Sequence, residues 1–299
     1  MYDIIVIGAG PAGVSAAIYA SSRGKKVLVL ERTSVGGVVG KVSTVTHYSG
    51  IIENETGESF AGRLKAQLLG CGAELRIENV TSVSLKGDVK TVTTDAGTYE
   101  ARCVILANGT TPNKLGIPGE KELAGKGVCS NAAKDAGFCA GKHVYVVGGA
   151  DGAVKEALFL SKFAARVTII HFESKLGCIA EFKKKIADTP NVELCLESRL
   201  HAVIGEGKIE ALEIASAVDG SLRRVEEPDC AVFIYAGASP NTKLYPELSL
   251  VNGYIPVNEN METEIPGVFA AGDIRVKLVR QAATAVSDGA VAGVRAAAY

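Results

Sequence analysis

Residues 3–31 run in a fixed order: the apolar stretch DIIVI, the turn Gly8-Ala9-Gly10-Pro11-Ala12-Gly13, the small-residue stretch VSAAIYASSRG, and a second apolar stretch, KKVLVLE. This is G-x-G-x-x-G between a strand and a helix. Glycines at these positions allow a tight turn and let backbone approach a pyrophosphate, which the helix N-terminus then favours electrostatically. Glu31 follows Gly13 by 18 residues, where a carboxylate accepts hydrogen bonds from a ribose. The pattern predicts a βαβ unit that binds a dinucleotide.

A degenerate copy begins about 140 residues later. HVYVV (143–147) reads as a strand, Gly148-Gly149-Ala150-Asp151-Gly152-Ala153 as the turn, VKEALFLSKFAA as the helix and RVTIIH as the next strand. Ala153 to His171 is again 18 residues. The central glycine of G-x-G is replaced by Ala150, whose methyl crowds a pyrophosphate and weakens binding without excluding it. His171-Phe172-Glu173-Ser174 offers no arginine for a 2′-phosphate, and Glu173 repels one. A dinucleotide here is expected to be NADH, with NADPH disfavoured; the other reading is a retained fold with an unused cleft.

The chain of 299 residues is long enough for two compact domains or one large one. A net charge of −1 gives no reason to expect nucleic acid or an anionic membrane as partner. The N-terminus enters a strand at once, with no basic region or cleavage site, and no apolar run approaches the ~18 residues that span a bilayer. Seven cysteines without regular spacing do not make a secreted disulfide framework, so a reducing, cytoplasmic setting is expected. No metal-ligand set is assigned.

Two further segments are informative. CVILANG (103–109) is a buried-type strand that ends before the loop TTPNKLGIPGE. Near the end, GVFAAGDIRVKLVRQAATAVSDGAVAGVRAAA reads as a short strand, an acidic turn at Gly272-Asp273 and an alanine-rich helix whose small residues let it lie close to a ligand or another backbone. Asp273 suits a polyol hydroxyl, or a simple helix cap. VELCL, HAVIG, KIEALEIA and CAVFIY look like strands of a central domain, and EFKKKIAD (181–188) like a solvated basic helix face.

With these pieces in order, the chain resembles the low-molecular-weight thioredoxin reductases, flavoproteins of the pyridine nucleotide-disulfide oxidoreductase superfamily. The matching residues are Gly8 to Gly13, Gly36-Gly37, Ala107-Asn108-Gly109 (usually Ala-Thr-Gly), Gly148 to Ala153, GASPNT (237–242) and AAGDIRVKLVRQAATAVSDGAVA. The resemblance implies an α/β fold of two Rossmann-like nucleotide-binding domains of the three-layer ββα kind. An FAD domain of residues 1–114 with 240–299 would flank a central NAD(P)-binding-like domain of 115–239. It implies FAD in the first unit, with Gly8, Gly10, Pro11, Ala12 and Gly13 at the pyrophosphate and Glu31 at the adenosine end. Arg32, Gly37, Val38, His47 and Val80, with Ala107, Asn108 and Gly109, would belong to the same site. Gly272 and Asp273 would lie at the ribityl chain, and Arg280, Gln281 and Ala282 beside the isoalloxazine ring. The possible NAD site would comprise Gly148 to Ala153 and Glu173. Family members are commonly homodimers.

At one place the chain departs from the pattern. Aligned without a gap on Gly127-Val128, Phe138 and Gly141-Lys142, the redox C-x-x-C of the family falls on Asn131 and Lys134, while the following acid is kept as Asp135. A dithiol relay through this loop is then impossible. Cys129 and Cys139 flank it, but a disulfide needs Cα atoms within about 7 Å, which ten residues of sequence do not establish. Lys134 would stabilise an anionic reduced ring or be a solvated lysine; His47 would tune or relay a proton to the ring or be an ordinary histidine. Lys134, Asp135 and His47 are the catalytic candidates. The expected function is an FAD-dependent oxidoreductase passing electrons between flavin and NADH or a protein carrier such as ferredoxin. A non-catalytic flavin-binding protein and a disulfide reductase using non-standard cysteines remain as alternatives.

Overall fold

The computed structural model describes residues 1–299. They divide into two compact units, Met1–Thr111 with Ala238–Tyr299, and Pro112–Gly237. The divisions after 111 and 237 stand beside expected ones after 114 and 239.

The first unit opens with β1 (Tyr2–Ile7), α1 (Pro11–Ser21) and β2 (Val27–Glu31), then a 3₁₀ turn at Gly37–Lys41, α2 (Gly57–Gly70) and β3 (Glu74–Ile77). β4 (Val80–Ser84), β5 (Lys90–Thr94), β6 (Thr98–Leu106) and the short β7 (Thr110–Pro112) follow. Ile4 to Ile7 and Val27 to Leu30 are buried on both faces, as strands of a covered parallel sheet must be. The sheet order is β3-β2-β1-β6-β5-β4. On the side away from β1, β6 serves two neighbours: Thr98–Ala101 pair antiparallel with β5, and Val104–Leu106 pair parallel with β17 (Val268–Ala270).

The second unit contains β8 (Val128–Cys129), α3 (Ala132–Asp135), β9 (His143–Val147), α4 (Asp151–Leu160), β10 (Arg166–Ile170), α5 (Ala180–Ala187) and β11 (Val192–Cys195). It continues with β12 (Ser198–Ile204), β13 (Ala211–Ser216), β14 (Leu222–Glu226) and β15 (Ala231–Ile234). Its parallel sheet, β11-β10-β9-β15-β8, has one apolar core against α4 and α5 and another against the antiparallel sheet β12-β13-β14. That is the three-layer ββα arrangement. On α5, Phe182 and Ile186, four residues apart, point inward and leave its lysines exposed.

The chain returns to the first unit through β16 (Ala238–Pro240), which pairs with β7, then β17 and α6 (Ala282–Ala298). α6 lies directly on α1. A Cβ at Gly289 would overlap the Ala12 carbonyl oxygen, and one at Gly293 the Ala16 carbonyl oxygen. Of the two neighbours its small residues allow, a ligand or a backbone, the structure therefore supplies the backbone of α1.

Candidate functional site

The turn between β1 and α1 is crowded backbone on one side and open on the other. Gly8 has φ +100°, and a Cβ there would meet the Ala107 carbonyl oxygen at 2.6 Å. A Cβ at Gly13 would overlap the Gly8 carbonyl oxygen, whereas one at Gly10 would find only the Gly37 Cα, 4.0 Å away. Pro11 begins α1, where its missing N–H costs nothing, and the first turn has neither a side-chain cap nor an acid. The N–H groups of Ala12 and Gly13 thus head a helix of 11 residues with no competing anion.

The groups around that turn hold one another. Glu31 accepts from the Ala9 N–H at 2.9 Å through Oε2 and from the Thr33 N–H at 3.0 Å through Oε1. The Gly36 N–H donates to the Ala9 carbonyl at 2.8 Å, bringing Gly37 and the exposed Val38 alongside. Asn108 is tied by its side chain: Nδ2 donates to the Asn241 carbonyl at 3.0 Å, and the fully buried Tyr245 hydroxyl donates to Oδ1 at 2.7 Å. Gly109, at φ +58°, completes the bend. Arg32 and His47 are exposed, His47 at φ +55°, while Val80 opens β4 with its side chain in the core.

At the other end of the first unit, Gly272 packs on Ala12, where a Cβ would stand 2.9 Å from the alanine methyl. Asp273 is not a helix cap: Gln281 caps α6, reciprocally with Thr284, and Ala282 begins the helix. Asp273 Oδ1 is buried with no partner, and burial raises its carboxyl against the pull of Lys277 and Arg280. Arg280 Nε is also buried without a partner, its guanidinium 4.0 Å over the Tyr254 ring. A buried acceptor and a buried donor awaiting polar groups fit a polyol-bearing cofactor.

An ion cluster behind them was not legible in the motif. Asp288 accepts from Arg275 Nη2 at 2.6 Å, Lys277 Nζ at 2.7 Å and the Gly272 N–H at 3.0 Å. Burial pushes its carboxyl up, but Arg275 and Lys277 outweigh that and leave it below the usual range. A basic-x-basic run 11 residues before an acid was the only available signal.

The second unit's turn is built on a different contact. Gly148 sits at φ +132°, and a Cβ at Gly149 would meet the His171 ring at 2.5 Å. Ala150 precedes α4 as its N-cap without capping it, and Asp151 sets a carboxylate in the first turn. Asp151 Oδ1 accepts from the Ile179 N–H at 2.9 Å. This helix end is thus less inviting to an anion than that of α1. Gly152 has open space around it and Ala153 is buried. His171 Nε2 lies 3.1 Å from Glu173, an exposed carboxylate, and His171 Nδ1 is buried without a partner.

The 127–142 loop is closed by its own polar groups. Asn131 Oδ1 accepts from the Lys134 N–H at 3.1 Å, capping the single turn α3. Asp135 Oδ2 accepts from the Ser130 and Asn131 N–H groups at 3.1 and 3.0 Å. Asp135 therefore organises the loop, and Lys134 is exposed on it.

A family model, pyridine nucleotide-disulphide oxidoreductase, matches residues 2–289. The chain belongs to that family. The oxidoreductase is 38% identical to a thioredoxin reductase of Peptoclostridium litorale, over 100% of this chain and 97% of that protein. It is similar in structure to Lactococcus lactis thioredoxin reductase, with a TM-score of 0.94, 33% identity and coverage of 99% and 98% of the two chains. A ferredoxin-flavin thioredoxin reductase from Clostridium acetobutylicum matches with a TM-score of 0.54 and 30% identity, over 99% and 97% of the chains. The oxidoreductase is FAD-dependent and of the thioredoxin reductase type, with the two Rossmann-like units of that fold. No helix is long and apolar enough to cross a membrane.

Proposed function

We propose that the protein exchanges electrons between bound FAD and either NADH or a small protein carrier such as ferredoxin, without a C-x-x-C relay. The observation that carries this reading is the 131–134 turn, Asn-Ala-Ala-Lys, where the resemblance expects the two cysteines; no two of the seven cysteines stand three apart. Asn131 and Asp135 spend their side chains on closing the turn.

FAD supplies one- and two-electron chemistry when bound. The residues of the first unit fit it: the uncapped N-terminus of α1, from Gly8 to Gly13, holds the pyrophosphate, and Glu31 the ribose. Asp273 accepts from a ribityl hydroxyl, which satisfies its lone oxygen, and Arg280, Gln281 and Ala282 border the ring. Arg32, Gly37, Val38, Val80 and Ala107 to Gly109 line the remainder. His47 holds or moves a proton at the ring edge.

In the second unit, Ala150 and the Asp151 carboxylate weaken the hold on any pyrophosphate, while Glu173 repels a 2′-phosphate and leaves NADH as the nucleotide of choice. A carrier as donor is supported by the likeness to the ferredoxin-flavin thioredoxin reductase of Clostridium acetobutylicum. The working form is a homodimer, as the resemblance implies.

Turnover tests the reading. Electron transfer from NADH or reduced ferredoxin to an artificial acceptor, above the rate with equimolar free FAD, is expected. A rate equal to that of free FAD with both donors identifies a non-catalytic flavin-binding protein and overturns the proposal.

A further inference from the structure

β10 leads into His171, Phe172 and Glu173, and backbone from the β11–β12 connection holds that segment in place. The His171 N–H donates to the Cys195 carbonyl at 3.0 Å, the Ser198 N–H to the His171 carbonyl at 2.9 Å, and the Glu197 N–H to the Glu173 carbonyl at 3.1 Å. The His171 ring is closed in as well, its side chain only 6% exposed. It faces Gly149, where any Cβ would meet the ring at 2.5 Å, and the Phe172 ring centroid stands 4.9 Å away. The Glu173 side chain, by contrast, is exposed, with Oε2 3.1 Å from His171 Nε2.

We propose that His171 is a positioning residue: it aims the Glu173 carboxylate at an adenosine ribose and so sets the choice between a free and a phosphorylated 2′-position. An ionised carboxylate only accepts, so the hydrogen in this contact belongs to Nε2. Nδ1 of that tautomer carries none and is buried without a partner, so the one N–H of the neutral ring is given to Glu173. An imidazole wedged against the glycine turn cannot swing away. The carboxylate it holds therefore loses less freedom when a ligand arrives.

The chemistry of the held group decides what it takes. The segment follows the second strand of a βαβ unit, where a ribose is read. A ribose hydroxyl donates to the carboxylate, whereas a 2′-phosphate brings negative charge and no donor. Arg199 acts in the opposite sense, as an exposed cation 4.5 Å over the Phe172 ring that attracts phosphate. It rests on Phe172 and not on His171, so a change at 171 removes the aim of Glu173 and leaves this cation.

The inference rests on the reading that the second unit takes NADH, but its test involves no electron transfer, so the two can fail separately. The full flavoprotein is titrated calorimetrically with ADP-ribose and 2′-phospho-ADP-ribose, which carry the adenosine end and no nicotinamide. The wild type is expected to bind ADP-ribose about tenfold more tightly or better, the worth of a hydrogen bond to a charged group. His171→Asn, whose amide falls short of the Nε2 position, should lose that preference by weakening ADP-ribose about tenfold. His171→Gln, whose amide N–H reaches that position, should keep it. In a Glu173→Gln background, His171→Asn should change ADP-ribose affinity by less than about twofold. Equal weakening of both ligands by His171→Asn, or a full loss in the Glu173→Gln background, is what a merely structural role gives and would overturn the proposal. So would a wild type without the preference. Nitrogen NMR of the wild type should show Nε2 protonated; a bare Nε2 would overturn the proposal whether or not the variants fold. Failure of NADH to bleach the flavin, with these results intact, would remove only the donor assignment.

Discussion

Gly289 of α6 lies so close to Ala12 of α1 that any side chain at 289 would overlap the Ala12 carbonyl oxygen. The obstacle is backbone at the mouth of the first glycine turn, so it cannot swing aside as a side chain would. Gly289→Ala is therefore expected to destabilise the protein by about 1–3 kcal/mol, as overpacking does, and to weaken flavin retention. Gly62→Ala, in α2 with nothing within 4 Å, is the control. It is expected to be neutral or stabilising by about 0.5–1 kcal/mol. Urea midpoints of the two variants check the contrast.

Asp288 gives a pH prediction. Its folded carboxyl lies below the usual range, so its contribution to stability is present at neutral pH. That contribution is lost as pH falls below the ordinary carboxylate range towards the folded value. Asp288→Asn leaves the buried Lys277 ammonium without its counter-charge. The loss is expected to be about 3–5 kcal/mol at neutral pH. Unfolding midpoints measured from about pH 7 to about pH 3 should show the wild type losing its advantage over the variant in the acid limb.

Asp273 is expected to behave in the opposite way. Burial raises its carboxyl, so the ionised group opposes folding at neutral pH, and Asp273→Asn should leave the apoprotein as stable or more so. FAD affinity should nevertheless fall roughly tenfold to hundredfold, the worth of a hydrogen bond to a charged group. A fluorescence titration of apoprotein with FAD, paired with a thermal melt, separates the two effects.

The second glycine turn is expected to respond to repair. Ala150→Gly removes the methyl that crowds a pyrophosphate and should tighten NADH binding by up to about tenfold, roughly one buried CH₂ to 1.4 kcal/mol of relief. The fold gain should be similar for NADPH, whose pyrophosphate is identical, while Glu173 keeps its absolute affinity below that of NADH. Calorimetric titration with each nucleotide is the check.

What the sequence disclosed follows the range of the interactions. The turn from Gly8 to Gly13 and the strands around it are local, and period and glycine spacing sufficed to read them. The same held for β11, β12, β13 and β15, whose apolar runs were visible. β14, LRRVE, was not read as a strand because only antiparallel pairing with β13 defines it and most of it is exposed. Nor could spacing reveal that Gly149 makes room for the His171 ring or that Asp288 gathers Arg275 and Lys277. Each of these depends on where the chain returns, and no periodic signal marks it.

The central claim is best tested by anaerobic titration of the purified flavoprotein with NADH, NADPH and reduced ferredoxin in turn, following the flavin absorbance. We expect stoichiometric bleaching by NADH or by reduced ferredoxin and none by NADPH. Bleaching by NADPH in preference to both, or bleaching by dithionite alone, would contradict it.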